Sequence, residues 1–229
     1  IVSSPLARPN KRWIERAIVR LHRDMSHDRR VRSLSGEIAG ELSRRFSGTE
    51  GTIAGVDIGC GDMGIAEGIS SFWPRVEWEC LDIYELPVER EKLDPRWQKY
   101  RRFDGQRIDR LDKSADFALF TDVLHHVPED GRLPLLKEST RVANTVIVKD
   151  HLEYGTWSRT MLRAMDFIGN WGYGVSVPRR YFTEQSFREL CDLGGLRILS
   201  LRVGIDLYRH MRLNLVLRPK WQFIAVLAS

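Results

Sequence analysis

The 229 residues, 42% hydrophobic and 29% charged, have the composition of an ordinary soluble globular protein and suffice for one large α/β domain with a small appendage. No uncharged apolar run reaches the roughly eighteen residues a membrane-spanning helix requires, and the first residues, IVSSPLARPNKRW, lack the apolar core of a signal peptide. The net charge of +5 is modest and concentrated early: residues 1–46 hold eleven Lys/Arg against five Asp/Glu. A solvated helical face is the simplest account of it, with RNA or an anionic membrane surface as alternative partners.

The three cysteines, Cys60, Cys80 and Cys191, show neither paired spacing nor an even count. They point to a reducing, cytoplasmic setting rather than to a disulfide framework or a zinc site. No metal-ligand set stands out, and no metal is expected.

In chain order, KRWIERAIVRLHRDM places Trp13, Ile14, Ala17, Ile18 and Leu21 at helical spacing. A second helix is predicted in RRVRSLSGEIAGELSRRF, with Val31, Leu34, Ile38, Leu42 and Phe46 on one stripe. Residues 1–50 are thus expected to form a helical cap, ended by the turn-rich SGTEGT. From residue 51 to 229 strand and helix signals alternate. TIAGVDI, VEWECLD, KYRRFDG, ADFALFTDV and NTVIVKDH read as strands, and GIAEGISSF, PLLKESTRVA and TEQSFRELCDLG as helices. LRILSLRVG and WQFIAVLA close the chain as an antiparallel pair at the sheet edge. The fold class is therefore α/β, a doubly wound, Rossmann-like, mostly parallel sheet covered on both faces.

The stretch VDIGCGDMG carries the chemistry. Gly59, Gly61 and Gly64 follow the first strand at the spacing of a dinucleotide-binding turn, where backbone must approach a ligand closely. NAD and S-adenosylmethionine both meet that need. Asp57 separates them: a carboxylate at the strand end repels a pyrophosphate but suits an ammonium and a sulfonium, and Asp62 in the turn adds to the effect. Asp82, ending the second strand, is placed to accept ribose hydroxyls. Asp104, after the third, is placed near an adenine amine.

The series VDIGCGDMG, LDIY, FDG and FALFTDVLHHV, from Ile53 to Val127, resembles the motifs of class I S-adenosylmethionine-dependent methyltransferases of the type 11-like kind. The resemblance implies a seven-stranded sheet with a reversed last strand. It also implies a cofactor held by Asp57, Gly59, Gly61, Asp82 with Ile83, Asp104 with Gly105, and the stretch Thr121 to Leu124 that includes Asp122. The later segment is similar to a bacterial subgroup with K-D-H after the fifth strand, then D-x-x-G-N and Pro-x-x-Tyr, whose substrates are largely unassigned. One departure stands out. Where many relatives end D-x-G-x-G-x-G in glycine, this chain has Met63 and then Gly64, so a slightly reshaped loop is expected.

For chemistry, His126 at the mouth of the expected pocket and His151 just past the fifth strand are the candidate catalytic residues. A packing or capping role is the competing reading of the pair His125 and His126. Leu152 to Tyr181 is long for a connection, and its Tyr154, Trp157, Phe167, Trp171, Tyr173 and Tyr181 read as a lid-like insertion over the acceptor, or as a core helix. The expected activity is methyl transfer to a small-molecule acceptor of natural-product, quinone or lipid metabolism, by O-, C- or N-methylation. An RNA acceptor, an NAD-dependent oxidoreductase and a non-catalytic cofactor-binding partner subunit are the alternatives. Nothing supports nucleic-acid binding strongly, and peripheral membrane contact stays open.

Overall fold

The computed structural model describes residues 11–85, 94–169, 177–207 and 218–228, apart from the side chains of 11–27, 96, 168 and 169. Trp171 and Tyr173, and the side chains of Trp13, Ile14, Ala17, Ile18 and Leu21, lie outside the described residues.

Helix α1 (Lys11–Arg45) is one continuous helix, which corrects the expectation of two. The junction Met25 to Arg29 contains neither Gly nor Pro, so nothing in the backbone chemistry stops the first helix before the second begins. Its stripe holds: Leu34, Ile38 and Leu42 are fully buried, and Phe46 stacks on Trp73.

After α1 come β1 (Ile53–Ile58), α2 (Gly64–Phe72), β2 (Val76–Asp82), β3 (Tyr100–Arg102) and β4 (Ala115–Thr121). The chain continues with α3 (Glu129–Val142), β5 (Ala143–His151), α4 (Thr156–Gly169), α5 (Glu184–Gly194), β6 (Arg197–Val203) and β7 (Gln222–Ala228). Helix α3 begins five residues ahead of the predicted PLLKESTRVA and carries Pro134 inside it. Helix α5 begins where the sequence places it, because Thr183 caps it by accepting from the Ser186 backbone N–H.

The seven strands form one sheet in the order β3-β2-β1-β4-β5-β7-β6. Neighbours from β3 through β5 are parallel, and β7 runs antiparallel to both β5 and β6. This is the doubly wound sheet with a reversed terminal strand. Strand alternation sorts the core between two faces. On β4, Phe117 and Leu119 join α1, α2 and Leu162 of α4, while Ala118 and Phe120 join α3 and α5. Burying such a phenylalanine contributes about 1.5–3 kcal/mol, and these strands are covered on both sides. The order reverses direction between β1 and β4, and that switch point is where such sheets keep their ligands.

Candidate active site

Four turns meet on the carboxyl-end rim. In the first, Gly59 and Gly61 adopt φ of 75° and 54°, and Met63 takes the same left-handed conformation at φ 62°. The departure from glycine therefore leaves the backbone of the turn in glycine's conformation, with the Met63 side chain buried beneath it. The two glycines serve different ends. A Cβ on Gly59 would sit 2.5 Å from Val123 Cγ2, so that glycine lets the β1 and β4 turns close together. A Cβ on Gly61 meets nothing within 4 Å, so that glycine borders open space.

Asp57 is 1% exposed, and its Oδ2 has no hydrogen-bond partner. Burial, reinforced by the carboxylates of Asp82 and Asp62, pushes its carboxyl up to about 7. Asp82 at the end of β2 is also buried; its Oδ2 accepts from the Gly61 N–H at 2.8 Å, and its Oδ1 has only a 3.4 Å contact with the Tyr84 N–H. Asp104 is exposed, and its Oδ1 accepts from the Gln106 and Arg107 N–H groups. Those two bonds hold its carboxyl below the ordinary range. Ile83, half exposed, lies against Gly105, where a Cβ would approach its Cγ2 to 3.3 Å. Past β4, Thr121 Oγ1 is buried without a partner, and Asp122 follows at φ 56°.

The Asp122 carboxylate is taken up by protein cations. It accepts from Lys149 and from Arg30 of α1, with His151 Nδ1 3.2 Å away. Burial would raise its carboxyl, but Lys149, His151 and Arg30 outweigh that and hold it well below the usual range. Arg30, part of the early basic excess, thus points inward and ties α1 to the site.

Asp150 pairs with His125 rather than with its chain neighbour. His125 Nδ1 lies 2.5 Å from Asp150 Oδ1, whereas His151 Nδ1 lies 3.6 Å from it. The His151 backbone N–H does donate to Asp150, at 2.7 Å. On the far side of the His125 ring, Nε2 is 3.4 Å from Asp166 Oδ2 of α4, and Asp166 accepts from the Tyr181 hydroxyl. Burial opposes charge on His125, yet Asp150 and then Asp166 outweigh it and push the imidazolium up to about 10. His151 shifts the other way, because burial and then the Lys149 charge hold it below the usual histidine value. One imidazole is therefore kept charged and its neighbour neutral, the division of roles an acid–base site needs.

His126 stacks obliquely on His125, with ring centroids 4.0 Å apart. Asp166 belongs to the D-x-x-G-N segment, which suggested no role for it, and Tyr181 ends the Pro-x-x-Tyr segment. Helix α4 packs on the core through Leu162, with Met161 and Met165 beside it, and leaves Trp157 and Phe167 largely exposed. Beside it, Thr160, Arg163, Ala164, Phe167 and Val177 line an open groove of about 420 Å³.

Sheet order, reversed strand and glycine turn together define the class I methyltransferase fold. Residues 35–145 match the family described as a methyltransferase domain. Solved structures of S-adenosylmethionine-dependent methyltransferases share this fold. Among similar solved structures is an S-adenosylmethionine-dependent methyltransferase from Aquifex aeolicus, 15% identical with a TM-score of 0.55, over 83% of this chain and 89% of that one. A sarcosine dimethylglycine methyltransferase from Galdieria sulphuraria is 16% identical with a TM-score of 0.58, over 84% of each chain. A mitomycin 7-O-methyltransferase is 20% identical with a TM-score of 0.56, over 83% of this chain and 53% of its own. No curated protein matches the sequence. Among the described residues no helix is long and apolar enough to cross a membrane.

Proposed function

We propose that the protein transfers a methyl group from S-adenosylmethionine to a small-molecule acceptor, with its cofactor on the Asp57–Gly61 turn. The observation that carries the reading is the buried Asp57 carboxylate, its Oδ2 without a partner, beside the open turn at Gly61. A buried carboxylate without a partner costs free energy, and a cationic ligand removes that cost. A pyrophosphate would add to it. Asp82 keeps its Oδ1 for ribose hydroxyls while its Oδ2 fixes the turn, and Ile83 and Gly105 offer an apolar wall for an adenine. The second oxygen of Asp104 remains for the exocyclic amine, and the Thr121 to Leu124 turn closes the far side. When bound, the cofactor supplies an electrophilic methyl group for in-line displacement.

The chain's own residues then orient the acceptor and manage a proton. His151, held neutral, is the group able to accept one from an acceptor hydroxyl or amine, and His126 contacts the acceptor at the pocket mouth. His125 is charged at neutral pH and is no base; it fixes the local potential. Helix α1 forms the N-terminal cap of residues 1–50, with the methyltransferase domain spanning 51–229, and α4 forms the described part of the lid at 152–181. The two neighbours whose names specify an acceptor, dimethylglycine and mitomycin enzymes, support a small molecule.

The test follows labelled methyl from S-adenosylmethionine into panels of phenols, quinols and amines, with total RNA as a separate arm. Label in a small molecule, lost in His151→Ala while cofactor affinity persists, is the expected result. Label confined to RNA refutes the small-molecule reading, and loss of cofactor binding in His151→Ala refutes the role of that residue.

A further inference from the structure

We propose that His125, His126 and Asp166 form a binding site for one divalent metal ion of the zinc class. Each residue offers a ligand atom, and these atoms lie within 4.8 Å of one another. The His125 side chain is fully buried, and its Nε2 has no hydrogen-bond partner. That nitrogen aims at Asp166 Oδ2 across 3.4 Å, too far for the charge-assisted hydrogen bond the pair would otherwise make. The separation instead matches the edge of a tetrahedron around a metal with ligands at about 2.0–2.1 Å, which is about 3.3 Å; an octahedral ion with ligands at that same distance would draw the pair to about 3.0 Å.

The surroundings are those of a metal ligand as well. Asp150 holds His125 Nδ1 at 2.5 Å, which keeps the proton on that nitrogen and leaves Nε2 for the ion once metal binding has released the Nε2 proton to water. Tyr181 donates to Asp166 and fixes that carboxylate in turn. The carboxylates that favour positive charge on the His125 ring favour a cation in the same place. His126 and Asp166 are only partly buried, so an ion has a route in. Two imidazoles and one carboxylate suit zinc, and three protein ligands leave a position open. An acceptor hydroxyl bound there would release its proton to water more readily. The ligands come from one turn and from a helix forty residues later in the chain, so no local motif announces them.

The experiment uses the full chain with any affinity tag removed, stripped by chelator and then titrated with Zn²⁺ against a competing chromophoric chelator. Metal content after gel filtration and the visible bands of the Co²⁺-loaded protein supply independent readouts. One ion per chain with micromolar or tighter affinity is expected, together with tetrahedral cobalt bands. Asp166→Asn, which keeps the Tyr181 contact and the volume, and His126→Gln should each weaken Zn²⁺ about 10-fold or more. Asp57→Asn, remote from these ligands, should bind Zn²⁺ as the parent does even where cofactor binding fails, so this site and the cofactor site are judged separately. Absence of saturable Zn²⁺ uptake at micromolar metal overturns the proposal. Uptake unchanged in the Asp166→Asn/His126→Gln double variant, shown folded by its melting temperature, overturns it equally.

Discussion

Replacing Asp57 by asparagine should make the cofactor-free protein more stable at alkaline pH. The Asp57 carboxyl is raised to about 7 from 3.8, so the folded state binds its proton more tightly than the unfolded state does. The stability tied to that proton is complete below pH 3.8 and is lost as pH rises toward 7. At about 1.4 kcal/mol per pKa unit, the loss is about 4 kcal/mol at pH 8 and about 1.5 kcal/mol at pH 5, both upper bounds. Asparagine carries no such dependence, but its buried amide costs about 1–3 kcal/mol if unpaired. The clean observable is the difference between pH values, because the amide cost cancels. Denaturant unfolding of both proteins at pH 5 and pH 8 should show the variant gaining about 2.5 kcal/mol on the wild type between the two. The same substitution should weaken S-adenosylmethionine binding. A pH-independent difference in stability would refute the claim that Asp57 is a buried carboxylate awaiting a cation.

Three further outcomes follow from the same geometry. Gly59→Ala places a Cβ 2.5 Å from Val123 at φ 75° and should lower stability by about 1–3 kcal/mol, read as a fall in melting temperature. Asp122→Ala leaves Lys149 buried without its carboxylate and should cost about 3–5 kcal/mol by denaturant unfolding, whereas Arg30→Ala should cost less because Arg30 is partly exposed. Nitrogen chemical shifts of the His125 ring should report an imidazolium at pH 8 in metal-free protein, and the stability it contributes should decline only as pH rises from 6.5 through about 10. A neutral His125 ring at pH 8 would contradict the clamp by Asp150 and Asp166.

The fold was legible because its signals are local. Strands β1, β2, β4, β5 and β6 announced themselves by short apolar runs followed by Gly or Asp, and helix α5 by its Thr183 cap. The join within α1 was misread because two amphipathic patterns with a polar junction look separate when nothing but the absence of Gly and Pro says otherwise. The gathering of Asp57, Asp82 and Asp104 on one rim was also legible, since each lies at or just past the carboxyl end of a parallel strand. The histidine cluster was less so. The pairing of Asp150 with His125 depends on β4 and β5 lying side by side, which the spacing of the two residues along the chain does not reveal. Asp166 reaches the site only because α4 folds back over the rim, which spacing alone does not reveal.

The most direct test of the whole account is calorimetric titration of the purified protein with S-adenosylmethionine, with S-adenosylhomocysteine and with NAD. Binding of the first two with no heat from NAD, and loss of both in Asp57→Asn, is what the buried carboxylate and the open turn at Gly61 require. Binding of NAD, or S-adenosylmethionine binding indifferent to Asp57, would contradict it.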